Sequence, residues 1–148
     1  MPIHSFTSLS EESNIFLDLP EDQVYNELDY NTLEEIYNRI LHLSSEKYDS
    51  LIVLDDMTSE LKNPQLLRLF NTIINNRRHL RTSVFTLVQV YNSIPLSNRK
   101  TINYLIMYKL KNTKEIKAIY EEMITGMSYD EFLELLENVL INNSIGYL

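Results

Sequence analysis

Two adjacent acids, Asp55 and Asp56, directly follow four branched apolar residues, Leu51 to Leu54. Such a run is too short for a helix of its own, and its unbroken apolarity is typical of a strand covered on both faces of a parallel sheet. The carboxylates therefore belong at the carboxyl end of this strand, the edge where open α/β sheets bind ligands. A carboxylate in that place could hold Mg²⁺ through water. The alternative interpretation is a buried strand that ends in a solvated Asp-Asp turn.

A glutamine, Gln89, lies near the end of a second apolar run, Thr82 to Val90, which we interpret as another buried strand. Its amide could simply hydrogen-bond to the backbone. At the ligand-binding edge of a parallel sheet it could instead orient a water molecule beside a phosphate group. Both interpretations remain open on these residues alone.

The charged residues divide the chain into three blocks, which the net charge of −8 conceals. Residues 1–65 carry 3 basic and 14 acidic side chains, residues 66–117 carry 10 basic and 1 acidic, and residues 118–148 carry 0 basic and 6 acidic. The basic block could face phosphates, or it could be a solvated surface that pairs with its acidic neighbours. The net negative charge argues against generic nucleic-acid binding.

Composition excludes several classes of protein and of site. The chain has 148 residues, 44% of them hydrophobic, which suits one globular domain with a core. It has no cysteine, so disulfides and thiolate metal sites are excluded, and His4, His42 and His79 lack metal-ligand spacing. No apolar run approaches the length of a membrane span, and the first ten residues lack the pattern of a signal peptide. The expected protein is soluble and intracellular, with no membrane partner.

Helices and strands alternate through the middle of the chain. Asn31 or Thr32 is expected to cap a helix that ends near Ser45, and Asn63-Pro64 begins a second helix that runs to about Asn75. The predicted strands cover Ser50 to Asp55, Thr82 to Val90 and Ile102 to Tyr108. This alternation predicts an α/β fold with a mainly parallel sheet flanked by helices, in a single domain over residues 1–148.

The two ends of the chain give less regular patterns. Residues 1 to 20 are predicted to be irregular, apart from one possible short strand at Ile15 to Leu17. Asn112 or Thr113 caps a helix that stops near Gly126, and Ser128 with Glu131 forms the capping box of an acidic helix. The last residues predict a terminal β-hairpin, with strands at Val139 to Ile141 and Ile145 to Leu148.

Four features follow one another in order along the chain. They are Leu-Ile-Val-Leu-Asp-Asp at 51–56, Asn-Arg-Arg-His at 76–79, the strand that ends near Gln89, and Ile94-Pro95 followed by Arg99. This succession resembles the C-terminal half of the genome-packaging ATPases of nucleocytoplasmic large DNA viruses, the poxvirus-type branch of the FtsK/HerA superfamily of P-loop NTPases. The resemblance covers roughly residues 49–122. It implies a partial P-loop NTPase core of the RecA/FtsK-like type, from the Walker B strand at about residue 50 onward.

The resemblance also implies roles for individual residues. Asp55 would match the Walker B aspartate that helps to bind Mg²⁺ through water, and so to hold ATP. Asp56 would take the next position, where the superfamily more often has a glutamate that activates the attacking water. Gln89 would match the polar sensor at the end of the following strand. Arg77 or Arg78, and Arg99, are candidates for contacts to phosphate, in the same subunit or across a ring, although each could simply be a surface cation.

The chain departs from the family pattern in its glycines. A Walker A loop requires Gly-x-x-x-x-Gly-Lys-Ser/Thr, and the two glycines, Gly126 and Gly146, both lie after the Walker B strand. The strand that carries this loop is central in the superfamily, so an inner strand should be missing as well. We therefore expect the chain to be inactive as an ATPase by itself.

Three functions are compatible with these residues. The first is the Walker B half of a viral packaging ATPase that needs a missing P-loop segment or partner chain, and this is the prediction that we favour. With that half, Mg-ATP hydrolysis in a homo-oligomeric ring would move double-stranded DNA into capsids, in the host cytoplasm at the viral factory or in the virion. The second is a degenerate interaction subunit, and the third is an unrelated acidic α/β binding protein.

Overall fold

The computed structural model of the protein describes residues 1–7, 18–108, 112–142 and 145–147. Its backbone divides into two compact units, Met1–Gln89 and Val90–Leu148, which we describe one after the other. None of the helices in these described ranges combines the length and the apolarity that a membrane span requires.

The first unit contains a four-stranded, fully parallel sheet. Its strands are β1 (Ile3–Thr7), β2 (Val24–Tyr25), β3 (Ser50–Asp55) and β4 (Thr82–Leu87), in the spatial order β2-β1-β3-β4. All three pairings between neighbouring strands are parallel. The predicted parallel α/β fold is therefore confirmed, and β3 has the predicted bounds, while β4 ends three residues before Val90.

Two helices connect these strands, and both begin at a polar cap. Helix α1 (Tyr30–Ser45) starts at Asp29, whose carboxylate accepts the backbone N–H of Thr32, so the cap lies two or three residues before the predicted one. Helix α2 (Pro64–Asn76) starts as predicted at Asn63, whose side-chain oxygen accepts the N–H groups of Gln65 and Leu66.

Both helices cover the same face of the sheet. The even-numbered residues Phe6, Ile52 and Leu54 are fully buried in one core cluster with apolar side chains of α1 and α2. Right-handed crossovers between parallel strands that advance in one direction place their helices on one side, as observed. On the opposite face of the sheet, Phe85 and Leu87 of β4 are 62% and 47% exposed.

The cap of α2 gives a first testable prediction. We expect Asn63→Ala to lower the free energy of unfolding by about 1 kcal/mol, because two backbone donors lose their acceptor. The matched control is Asn75→Ala, which is exposed in the last turn of the same helix. Since alanine is the better helix former, this control should not lower stability. Equal urea midpoints for the two variants would contradict the capping role of Asn63.

Strand β1 corrects the prediction that residues 1–20 are irregular. His4, Ser5 and Thr7 are polar, yet they are 0%, 0% and 1% exposed in this inner strand. A buried strand is predicted from a run of apolar residues, and β1 lacks such a run because three of its residues are polar. The sequence therefore did not predict β1. The strand proposed at Ile15 to Leu17 lies outside the described residues.

The second unit differs from its prediction in the ends of its elements. It contains α3 (Leu96–Arg99), β5 (Ile106–Tyr108), α4 (Thr113–Met123), α5 (Tyr129–Asn142) and β6 (Ile145–Tyr147). The predicted strand from Ile102 begins only at Ile106, and it pairs antiparallel with β6 in a two-stranded sheet. Residues 139–141, predicted as a strand of the terminal hairpin, belong to α5.

Helical spacing explains the extended α5. Phe132 and Leu136 are buried and Val139 is partly buried in one cluster, and these three positions recur at intervals of four and three. The predicted capping box of this helix is confirmed, because the N–H of Ser128 donates to Glu131 Oε2 at 2.7 Å and the N–H of Glu131 donates to Ser128 Oγ at 3.3 Å.

Candidate functional site

The carboxyl ends of three neighbouring strands meet at Asp55. In the register of the sheet, Thr7 of β1 pairs with Asp55 of β3, and Asp55 pairs with Leu87 of β4. Asp55 is half-buried, whereas the four residues before it in β3 are apolar and anchor the strand in the sheet. The apolar run therefore presents this carboxylate at the ligand-binding edge, where the sequence placed it.

A hydroxyl of the neighbouring strand holds the Asp55 carboxylate. Thr7 Oγ1 donates to Asp55 Oδ2 at 3.0 Å, and Thr7 is 1% exposed. Sequence reasoning missed Thr7 because it missed β1. Had β1 been recognised, the threonine at its carboxyl end would have been the residue to examine.

Asp56 leaves the strand through a left-handed turn. Its φ is 55°, a conformation that aspartate adopts more readily than most residues. Its N–H donates to the carbonyl oxygen of Leu87 at 3.0 Å, which ties the turn to β4. Gln89 Nε2 donates to Asp56 Oδ2 at 3.0 Å, and both side chains are exposed. The structure thus brings together two polar groups that the sequence had placed separately, each at the carboxyl end of a strand.

The carboxylate oxygens of Asp55 and Asp56 are suitable ligands for part of a Mg²⁺ site. Among the described residues, no group of three or more His, Cys, Asp or Glu side chains could hold a metal ion. Mg²⁺ does not require such a cage, because it usually keeps several waters and takes one or two carboxylates together with substrate phosphates. Asp55, with Asp56 beside it, therefore fits a site that a bound phosphate would complete.

The arginines at 77 and 78 lie at the other edge of the sheet. They follow α2 and precede β4, and the N–H of Thr82 donates to the carbonyl oxygen of Arg77 at 3.0 Å. Arg77 also donates from Nη1 to the carbonyl oxygen of Ile74 at 2.9 Å, while Arg78 is exposed. A six-residue strand separates this edge from Gln89 by roughly 17 Å. The structure does not bring either arginine to Asp55 within one chain.

Arg99 is held inside the second unit. Its Nη1 donates to Glu122 Oε1 at 2.8 Å and to Asn92 Oδ1 at 2.9 Å, and its guanidinium lies 5.2 Å from the centre of the Tyr91 ring. The Tyr91 hydroxyl donates to Glu122 Oε2 at 3.0 Å. Burial, followed by this hydrogen bond to Glu122, raises the pKa of Tyr91 to about 12. The role of Arg99 in binding phosphate stays a prediction.

A buried acid completes this cluster. Glu115 Oε1 accepts the backbone N–H of Tyr91 at 2.7 Å, and Glu115 is 6% exposed. Glu115 is also the one acidic side chain of the basic block. This buried carboxylate accepts a hydrogen bond from a backbone N–H, so its role within the basic block is structural.

The chain was compared with curated proteins and with solved structures. None of the curated proteins matches the chain. A solved structure does, the genome packaging NTPase B204 from Sulfolobus turreted icosahedral virus 2 in complex with AMP, with a TM-score of 0.57 and 16% identity. The match covers 99% of this chain and 82% of that one, and at this identity it shows a shared fold.

The family is shown by a separate comparison. A family profile described as Poxvirus A32 protein matches residues 19–144, which is most of the chain. This match confirms the predicted resemblance to the poxvirus-type genome-packaging ATPases and excludes an unrelated acidic binding protein. The chain belongs to the poxvirus A32 protein family.

Proposed function

We propose that this chain is the Walker B and sensor half of a viral DNA-packaging ATPase of the FtsK/HerA type. The proposal rests on the polar groups at the strand ends: Asp55 lies at the carboxyl end of an inner parallel strand, and the next residue, Asp56, accepts a hydrogen bond from Gln89 at 3.0 Å. The family membership and the shared fold support it. In this proposal ATP and Mg²⁺ bind at the carboxyl edge of the sheet.

Each residue has a distinct task in this proposal. Asp55 would hold the Mg²⁺ ion, which would supply positive charge to the phosphate oxygens. Asp56 is the proposed general base and accepts a proton from the attacking water. This role requires that its carboxylate lies within hydrogen-bond reach of that water. Gln89 donates to Asp56 and so fixes the direction of its carboxylate. Arg77, Arg78 and Arg99 remain candidates for phosphate contacts, the first two only toward a neighbouring subunit because of their place at the opposite edge.

The proposed enzyme requires a P-loop segment from outside this sequence. Among the described residues of the first unit, β4 pairs with a strand on one side only, and its Phe85 and Leu87 are exposed. Parallel sheets are normally covered on both faces, and an open edge strand is a pairing site. We propose that the P-loop segment pairs with the open edge of β4 and covers Phe85 and Leu87. The assembled ring would couple hydrolysis to movement of double-stranded DNA into the capsid, at the viral factory or in the virion.

The test is Mg-ATP turnover by the chain alone and after addition of a Walker A-containing segment from a poxvirus A32-type ATPase. We expect no turnover by the chain alone and turnover in the mixture. Asp55→Asn should lower turnover of the mixture at least about 100-fold, because the cation loses its protein anchor. Asp49→Asn is the matched control, since Asp49 is an exposed acid that pairs with Arg81 before the amino end of β3.

Two outcomes would decide against this proposal. Turnover by the chain alone, lost in an Asp55→Ala/Asp56→Ala variant, would mean that phosphates are held here by another cradle. Stable association with the added segment but no turnover would favour the second candidate function, a degenerate interaction subunit. The absence of a Walker A motif from the sequence is the observation that keeps this second function in consideration.

A further inference from the structure

Thr7 makes a contact that its strand does not need. It is the last residue of β1, and its register partner in β3 is Asp55. The backbone pairing of the two strands does not require a hydroxyl there, and a valine would have nearly the same shape. The hydroxyl nevertheless reaches Asp55 Oδ2 at 3.0 Å from a position that is 1% exposed.

This hydrogen bond has a specific effect on the carboxylate. The χ2 torsion of an aspartate is broad, so an unheld carboxylate rotates through a wide range of directions. The Thr7 hydroxyl donates to this carboxylate at 3.0 Å, which is within the range of O–H···O hydrogen bonds, and a donor held in one place narrows the range of directions that the carboxylate takes. Because Thr7 belongs to the inner strand beside β3, the donor is fixed by the sheet rather than by a loop.

We propose that Thr7 is a positioning residue for Asp55, an inference that rests on the proposed function. Thr7 commits Oδ2 to the protein and presents Oδ1 to the hydrated divalent cation. Partners of this kind, which orient a metal ligand without touching the metal, typically change metal affinity 10-fold to 100-fold when they are removed. The cation site at this edge is therefore built by two strands, β1 and β3.

The experiment measures Mn²⁺ binding by the full chain mixed with the Walker A-containing segment and adenosine diphosphate, from the electron paramagnetic resonance signal of the free ion and relative to the same mixture without the chain. We expect Thr7→Val to weaken binding about 10-fold, because the donor is lost at constant shape. Thr7→Ser keeps the hydroxyl and should bind within about twofold of the natural chain. The control is Thr86→Val, the same change in β4 at a half-buried position whose register partner is Leu54. It should leave Mn²⁺ binding unchanged.

Asp55→Asn tests the proposed metal role of Asp55 separately from the proposed role of Thr7. If this variant binds Mn²⁺ as the natural chain does, the proposed metal role of Asp55 is wrong, and the proposed function loses its anchor. If Asp55→Asn loses binding while Thr7→Val retains it, the function stands and the role of Thr7 is wrong. Urea unfolding of each variant identifies any loss of fold, and Thr7→Ala takes the place of Thr7→Val if that variant does not fold. A loss of binding that Thr7→Ser does not rescue would also overturn the inference.

Discussion

Replacing Glu122 by alanine is expected to lower the free energy of unfolding of residues 90–148 by about 3 kcal/mol. The side chains of Arg99 and Glu122 are 13% and 19% exposed, so both charges are largely removed from water. Removal of one partner of such a pair leaves the other charge buried without compensation, which costs more than the pair itself contributes. The Tyr91 hydroxyl loses its acceptor in the same variant.

The matched control is the adjacent residue. Glu121→Ala removes an acid that pairs with Lys117 at 3.7 Å, with side chains 60% and 67% exposed. Exposed pairs of this kind contribute little, so the control should stay within about 0.5 kcal/mol of the natural chain. Amide hydrogen exchange of α4 and α5 in the full chain measures the two effects locally. Equal protection factors in both variants would show that the Arg99 pair does not support this unit.

The same variants bear on the function proposed for Arg99. If Arg99 is to contact phosphate through Nη1, that nitrogen has to leave Glu122 and Asn92, and this release costs free energy that the phosphate contact has to offset. If Glu122→Ala lowers stability as expected, Arg99 is primarily a structural residue in the form described here. Its availability to a nucleotide would then depend on a rearrangement within the second unit.

Acidification from pH 6.5 to pH 4 is expected to lower the free energy of unfolding by about 3 kcal/mol through His4 alone. His4 is 0% exposed, and neither ring nitrogen has a hydrogen-bond partner among the described residues. Burial, followed by the nearby Arg39 cation, lowers the pKa of His4 from 6.5 to about 4, and this value includes a smaller opposite effect of Asp22, which raises it. Tyr25 packs against the ring, with the ring centres 6.3 Å apart.

The direction of this effect follows from which state binds the proton. Above pH 6.5 the imidazole of His4 is neutral in the folded and the unfolded chain, so it adds no slope. Between pH 6.5 and about 4 the unfolded chain binds a proton that the folded chain excludes, and stability falls as pH falls. Below pH 4 both states carry the proton, and the loss is complete.

His4→Leu isolates this contribution from the carboxylates that also titrate in acid. The variant should match the natural chain at pH 7 within about 1 kcal/mol, since an apolar side chain suits a site without hydrogen bonds. The gap between the two should then widen in favour of the variant as the pH falls to 4. His79→Asn, at an exposed histidine, is the control and should keep the natural pH profile. Parallel profiles for His4→Leu and the natural chain would contradict the role of His4.

Local signals in the sequence predicted the parts of the fold that depend on local interactions. The apolar run before Asp55 gave β3 with its observed bounds, and Asn63-Pro64 gave the observed start of α2. The sequence also placed Asp56 and Gln89 at the carboxyl ends of two strands, which lie at the same edge of a parallel sheet. What these signals lack is any statement about which strands are neighbours, so Thr7 beside Asp55 could not be found.

Two other differences have physical reasons of their own. A helix between parallel strands leads the chain back to the amino end of the next strand, which puts Arg77 at the edge opposite Asp55; this follows from topology rather than from residue type. In β5, Ile106 and Tyr108 are 62% and 65% exposed while Met107 is 6% exposed. That alternation is typical of a half-buried antiparallel strand, whereas Ile102 to Tyr108 had been predicted only as a third strand of a fold with a mainly parallel sheet.

The left-handed backbone at Asp56 limits which residues this turn can accept. At a φ of 55°, asparagine, glycine and aspartate are the types that proteins use most readily. Of these only aspartate carries a carboxylate, so an acid and this turn coexist most easily in the residue that is present. A glutamate here would gain one methylene of reach but would strain the backbone more than aspartate does. In the function proposed above, the carboxylate at this position therefore acts with the shorter reach of aspartate.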